Sequence, residues 1–288
     1  MRQFTYTRVE TIDEAVALLE KENAKVLAGG TDLVIALRDG AIRPEVVVDI
    51  GRIPELCELA VRDGALHIGA AITFRELAES PLLAGGLRAL AQAAAAVGSP
   101  QIRAAGTLGG NIANASPAAD VVVPLVALGA RVQLAGPRGI RSETIETILG
   151  SKPGVVSLAD DELSVKVIVP LPVAGIRSAF SKLGRRKALS IARLSCAFAG
   201  RLDAALTLRD VRVAVGAAAP HPVRVLEVEA ALEGRYLTEG IFSSALHEAS
   251  VHVERVIGSR ASMPYKREAI KGVLWEAVNL CLTPGRLP

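Results

Sequence analysis

Residues 107–120 read TLGGNIANASPAAD. Gly109 and Gly110 carry no side chains and are expected to leave backbone amides open to a ligand. Asn111, Asn114 and Ser116 add short side chains that donate or accept. Asp120 stands at the start of an apolar run, VVVPLVALG, that reads as a helix. There its carboxylate is placed either to cap free helix amides or to hold a sugar hydroxyl. The residues just upstream, SPQIRAAG, show little periodicity, so 98–120 is expected to be one long loop. Such a loop is uncommon in an ordered domain without a functional role.

A second glycine pair lies upstream, in KVLAGGTDL at residues 25–33. AKVL predicts a strand and TDLVIALRDG a helix that Gly40 stops. The two glycines between them permit a sharp turn, and a helix starting at Thr31 or Asp32 adds its own unpaired amides and the positive end of its dipole. That combination suits a phosphate or diphosphate. It also serves as a plain strand-to-helix turn. The dinucleotide fingerprint G-x-G-x-x-G is absent, and Asp49 comes too early to be its acidic partner. If the two Gly-Gly segments face each other across a cleft, a ligand with a diphosphate in its middle fits between them.

Around these segments, TIDEAVALLEKE predicts a helix with Thr11 as N-cap and Glu14 completing a capping box. EVVVDI predicts a strand covered on both faces. ALHIGAAIT and ARVQLAG predict strands, and FRELAES and GGLRALAQAAAAVG helices, the latter ending at Gly98. ELSVKVIVP is a strand, PLPVAGIRS a linker. Beyond it come long antiparallel strands, SAFSKLGRRKALSIARLSCAFAGRLD and LRDVRVAVGAAAP, then helices to the end. Strands followed by helices indicate an α+β domain. The division expected is 1–175, with lobes of about 1–54 and 55–175, and 176–288.

The 288 residues are half hydrophobic and carry a net charge of +3. That charge is small, and there is no basic stripe, only short clusters such as Lys182, Arg185, Arg186 and Lys187, which argues against a nucleic-acid binder. Cys57, Cys196 and Cys281 are far apart and form no metal or disulfide pattern, so three buried free thiols in a reducing compartment are expected. The first residues lack the apolar core of a secretory signal, and no stretch reaches the roughly 18 apolar residues of a membrane span, so the cytoplasm is the expected location. No residue reads as a catalytic acid or base. His67 is expected as a packed or half-exposed strand residue, His221 in a turn, and His247 and His252 on a helix surface.

In order and spacing, KVLAGGTDL, GAAITFREL, GSPQIRAAGTLGGNIANASPAAD, DDELSVKVIVP and GAAAPHPVR resemble the FAD-binding medium subunits of the molybdenum hydroxylase and xanthine dehydrogenase family. The resemblance runs over nearly the whole chain. ASPAAD looks closer to the xanthine dehydrogenase branch than to the carbon monoxide dehydrogenase branch. No cysteine-bearing insertion of the benzoyl-CoA-type reductase subunits is present. The resemblance implies an α+β fold: a two-lobed FAD-binding domain of the vanillyl-alcohol oxidase type, then a C-terminal domain of antiparallel sheet plus helices. By position it implies that Lys25, Val26, Leu27, Ala28, Gly29, Gly30, Thr31 and Asp32 wrap the FAD diphosphate. Thr107, Leu108, Gly109, Gly110 and Asn111 would approach from the other side, with Asp120 holding the ribose or ribityl region. Val97, Leu163 and Lys182 match further FAD-contacting positions.

Neither glycine segment contains a His or Cys for covalent attachment, so the FAD is expected to be non-covalent. The resemblance implies a large molybdenum-cofactor subunit and a small 2Fe–2S subunit as partners, assembled as a dimer of heterotrimers. Molybdopterin and the 2Fe–2S clusters would sit on those partners, and NAD+ or another acceptor would take the electrons. Lys182 is a candidate cation for the flavin N1–C2=O edge, where it would stabilise the reduced anion, or else a member of a solvated cluster with Arg185 and Arg186. Two rival readings stay open: a stand-alone FAD-dependent reductase or oxidase on the same flavin domain, and a non-catalytic flavin-binding scaffold.

Overall fold

Strand β1 (Thr5–Arg8), helix α1 (Ile12–Lys21), strand β2 (Ala24–Leu27), helix α2 (Leu33–Arg38) and strand β3 (Val46–Asp49) form the first lobe. The computed structural model describes residues 3–21, 23–150, 152–186, 189–236 and 238–282. The three strands make a parallel sheet in the order β1-β3-β2. The central strand is buried at all four positions, which is why EVVVDI has no polar alternation until Asp49. Helix α1 begins as its capping box requires. The Glu14 amide donates to Thr11 Oγ1 at 3.2 Å and the Thr11 amide to the Glu14 carboxylate at 3.3 Å. Helix α2 ends before Gly40, whose φ of +71° a side chain would resist.

The second lobe holds β4 (Leu59–Arg62), β5 (Ala65–Gly69), α3 (Phe74–Glu79), α4 (Arg88–Ala95), α5 (Pro100–Ala105), α6 (Leu108–Asn114), α7 (Val122–Ala127), β6 (Arg131–Gly136), β7 (Gly139–Thr144), α8 (Ile145–Ile148) and β8 (Leu163–Pro170). Its antiparallel sheet runs β4-β5-β8-β6-β7. Here the structure corrects the expected long loop. Residues 98–120 contain α5 and α6, capped by Ser99 and Thr107, whose hydroxyls accept from Ile102 and Gly110. Both helices are short, six and seven residues, so each spans fewer than two turns and shows no readable period. Strand β7 was also not expected. It is an edge strand with exposed, mixed residues, Ile140 among them at 68 %.

The C-terminal half contains β9 (Arg177–Leu183), β10 (Leu194–Leu202), β11 (Leu208–Gly216) and β12 (Val223–Arg224), antiparallel in the order β12-β11-β10-β9. Helices α9 (Leu226–Leu232), α10 (Glu239–Ile257) and α11 (Met263–Leu282) follow. This is the α+β arrangement that the strands-then-helices order predicts. The three units share their cores. Ala135, Leu163 and Val165 of the second lobe pack in the first-lobe core, and Phe180, Ala197, Ala199 and Ala214 of the C-terminal sheet pack in the second-lobe core. The last two units therefore meet across a buried apolar seam, and α4 lies along it.

Candidate cofactor site

The two glycine segments touch. A Cβ at position 29 would stand 1.8 Å from the carbonyl oxygen of Ala105, so only glycine lets the β2–α2 turn lie against the end of α5. Further along, Asn114 Nδ2 donates to Asp32 Oδ1 at 3.3 Å, and Thr31 Oγ1 donates to Asp32 Oδ2 at 3.2 Å. Asp32 makes no side-chain cap on α2. It ties one segment to the other instead. The amides of Gly29, Gly30, Thr31 and Asp32 donate to none of the described residues. A turn with four uncommitted amides suits an anion.

The 107–111 side differs from expectation. The amides of residues 108–111 are committed: Leu108 donates to Ile72 O at 2.9 Å, Gly109 to Ala70 O at 2.8 Å, Gly110 to Thr107 Oγ1 at 3.2 Å and Asn111 to Thr107 O at 3.0 Å. Gly109 serves packing, since a Cβ there would sit 2.7 Å from the Ala70 methyl. What this side offers a ligand is the side chain of Asn111, whose Oδ1 is buried and lacks a donor. Leu108 and Leu163 are core side chains, at 0 % and 3 % exposure, and present no side chain to a ligand. Lys25 turns to Asp160, 2.8 Å away in an exposed pair. Val97 is half-buried at the α4–α5 connection.

Asp120 is 6 % exposed, and its Oδ1 is buried without a donor. It does not cap α7, whose N-cap is Val121. Its Oδ2 lies 2.5 Å from Lys182 Nζ, which also donates to Ala96 O at 3.0 Å. Burial pushes the Asp120 carboxyl up to about 6, with Lys182 pulling the other way. Lys182 thus leaves the solvated cluster: its side chain is 12 % exposed and points into the protein. Arg185 and Arg186 stay exposed, and Lys187 lies outside the described residues.

Arg103 escaped the sequence reading. Its Nη1 donates to Val97 O at 2.9 Å and Gly98 O at 3.1 Å, clasping the α4–α5 connection. An arginine four residues after Ser99, the N-cap of α5, was the available signal, because cations gather where helix carbonyls are left over. Among the histidines, His252 is a correction. It is 7 % exposed, packed beside Glu227 and Arg255, and not a surface group. Cys57 is a second correction: expected buried, it is exposed because it ends the short surface turn Pro54–Cys57, while Cys196 and Cys281 are buried. No group of three or more His, Cys, Asp or Glu among the described residues is placed to hold a metal.

This geometry fits a long diphosphate-bearing cofactor: uncommitted amides on one side, and two buried acceptors, Asn111 Oδ1 and Asp120 Oδ1, that need hydroxyl or amino donors. Comparison with known proteins agrees. Residues 2–172 match the model of the FAD-binding domain in molybdopterin dehydrogenase, and residues 178–280 that of the CO dehydrogenase flavoprotein C-terminal domain. The chain is 34 % identical over 278 residues to the nicotinate dehydrogenase FAD-subunit of Eubacterium barkeri, covering 95 % of this chain and 94 % of that one. It is 36 % identical over 253 residues to the xanthine dehydrogenase FAD-binding subunit of Escherichia coli O157:H7, covering 85 % and 86 %. A solved structure of carbon monoxide dehydrogenase from Hydrogenophaga pseudoflava superposes with a TM-score of 0.89 at 31 % identity over 97 % of both chains.

Proposed function

This chain belongs to the FAD-binding medium-subunit family of the molybdenum hydroxylases, and from that premise we propose that it is the electron outlet of a multi-subunit oxidoreductase. It would receive electrons from 2Fe–2S clusters on a small partner subunit, supplied in turn by a large molybdenum-cofactor subunit, and deliver them to NAD+ or another acceptor. Bound FAD supplies the chemistry, a carrier able to take electrons singly and release them in pairs. The working division is an FAD domain over 1–175 and a C-terminal domain over 176–288.

The chain's own residues bind and orient. Gly29, Gly30, Thr31 and Asp32 offer their amides to the diphosphate, with Lys25, Val26, Leu27 and Ala28 holding that turn on the edge strand. Thr107, Leu108, Gly109, Gly110 and Asn111 close the opposite wall, Asn111 through its side-chain oxygen. Asp120 Oδ1 accepts from a sugar or ribityl hydroxyl. Val97 and Leu163 support the site by packing, and Lys182 by charge. The observation that carries this reading is the turn of four uncommitted amides at Gly29 to Asp32, tied by Asn114 to the segment that holds Asn111, whose buried Oδ1 lacks a donor. Attachment is non-covalent, since neither segment carries a His or Cys.

No helix among the described residues is long and apolar enough to cross a membrane, and we place the assembly in the cytoplasm as a dimer of heterotrimers. Purification from the native host with metal and flavin analysis tests the proposal. FAD, molybdenum and iron in stoichiometric yield with two further chains are expected, and acid should release intact flavin. FAD on a chain that travels without molybdenum or iron would favour a stand-alone reductase instead. Rapid mixing of the reduced complex with NAD+ tests the acceptor.

A further inference from the structure

Helix α11 begins beside the end of the C-terminal sheet where β10 starts and β11 stops. At its start, Lys266 Nζ donates to the carbonyl oxygen of Ala217 at 2.5 Å. Ala217 follows β11 and holds a φ of +60°, a conformation that side chains resist. Its amide donates to Pro117 O at 2.8 Å, so Ala217 ties α11 to the segment that leads to Asp120. From the neighbouring strand, the Arg193 guanidinium lies over the exposed Tyr265 ring, 5.5 Å from its centre. The Arg193 amide is fixed as well, donating to Leu183 O at 2.7 Å. Arg260 stands three residues before α11, and its carbonyl accepts from the Met263 amide.

Three cations meet here without an acid. Burial first, then the charges of Arg260 and Arg193, hold the Lys266 ammonium below its ordinary range, and no carboxylate offsets them. The carboxylates of Glu254 and Glu268 on the adjoining turns are taken by Arg267 and Lys271. Lys266 spends one of its three donors on Ala217 and keeps two, and neither guanidinium finds a hydrogen-bond acceptor among the described residues. Like charges brought together at a half-buried place are unfavourable until an anion joins them. A carboxylate would bring one charge to three cations, whereas a phosphate group brings about two and offers three oxygens to the guanidinium forks. We propose that Arg193, Arg260 and Lys266 form a phosphate-binding site. Ser195 pairs with Lys182 across the sheet, and Arg193 lies two residues before it, about 7 Å along the strand. A nucleotide held there by its phosphates stands beside the strand end that borders the proposed flavin site. Its use by a nucleotide acceptor rests on the electron-outlet reading; a site for phosphoryl oxygens does not.

The purified full chain is first saturated with FAD, so that the flavin's own phosphate site is filled, and its flavin content is recorded. A chain that takes up no FAD sinks the FAD reading and leaves this site to be judged by pyrophosphate. Calorimetric titrations with inorganic pyrophosphate and with ADP then compare wild type, Arg193→Gln, Arg260→Gln and Arg193→Lys. Arg235→Gln serves as a control of equal charge, because Arg235 is exposed and its carbonyl accepts from Leu208 at the opposite end of the sheet. Wild type should bind pyrophosphate with a Kd below about 1 mM. Arg193→Gln and Arg260→Gln should each weaken binding about tenfold, Arg193→Lys should weaken it too because an ammonium lacks the fork, and Arg235→Gln should stay within about twofold. Flavin content should be unchanged throughout. Tighter binding of ADP than of pyrophosphate supports the site with a nucleotide as its ligand, and pyrophosphate alone supports it with free phosphate. Wild type that binds neither probe overturns the proposal, as does an equal loss in Arg235→Gln, the mark of a diffuse field. Poly-glutamate that binds and is not displaced by pyrophosphate would make the cluster a protein-docking surface and overturn the proposal as well.

Discussion

Gly29–Gly30 and Gly109–Gly110 are the same dipeptide in two segments that lie in contact, and they do different work. At 29–30 the glycines lay a turn against the Ala105 carbonyl and leave the following amides uncommitted. At 109–110 the glycines open α6, whose early amides are already bonded to Ala70, Thr107 and their neighbours. One pair is exposed chemistry and the other is packing. The lesson is that a glycine pair signals close backbone approach, and the approaching partner decides whether any amide remains for a ligand.

Substitution can break this contrast, and the largest effect is expected at Gly29. A Cβ 1.8 Å from a backbone carbonyl has no flexible neighbour to push aside, so Gly29→Ala should cost about 3 kcal/mol and abolish FAD retention. Thermal unfolding and flavin content of the purified chain check this. A variant that keeps both its stability and its flavin would refute the close approach.

The next effect concerns Asp120, which is buried and paired with Lys182. Its carboxyl is raised from 3.8 to about 6, so in the apo chain the native state holds the proton more tightly than the unfolded state does. Stability from this group is full below pH 3.8 and is lost as pH rises through about 6, by at most about 3 kcal/mol. Asp120→Asn should flatten that fall in a pH series of unfolding curves. FAD donating a hydroxyl to Oδ1 favours the ionised form, so FAD affinity should rise with pH across the same window. Affinity independent of pH there would show that Oδ1 meets no donor.

A smaller effect is expected at Gly109. The Ala70 methyl 2.7 Å away and its carbonyl oxygen 2.9 Å away can give only slightly, so Gly109→Ala should cost about 2 kcal/mol. It should weaken FAD binding less than Gly29→Ala does. Gly110 should matter least. Its Cβ would meet only Thr107 Oγ1, at 3.1 Å. The crowding is offset by the better helix propensity of alanine, so the net change should stay within about 1 kcal/mol. If Gly110→Ala proves as damaging as Gly29→Ala, cofactor approaches the Gly110 backbone as closely as Ala105 approaches Gly29, and the contrast between the two pairs fails.

Much of the architecture was legible in the chain. Thr11 and Glu14 announced α1, Gly40 closed α2, and the unbroken apolar run Val46–Val48 marked a covered central strand. These signals are local: caps, turns and periodicity act over a few residues, so a linear reading captures them. Helices α5 and α6 were hidden because each spans fewer than two turns, too few residues to show a helical period. His252 was misplaced because one turn of an amphipathic helix does not reveal which neighbours cover it.

The pairing of residues distant in sequence is where tertiary structure alone decides. The chain by itself places glycine, Asp120 and Lys182 among the groups of interest. Only the fold sets Asp120 on Lys182 across 62 positions and Asn114 on Asp32 across 82. Only the fold determines that one glycine pair keeps its amides while the other spends them on Ala70 and Thr107. The physical reason is that hydrogen-bond donors and charges take their character from their partners and their burial, and neither is written in the residue types that carry them.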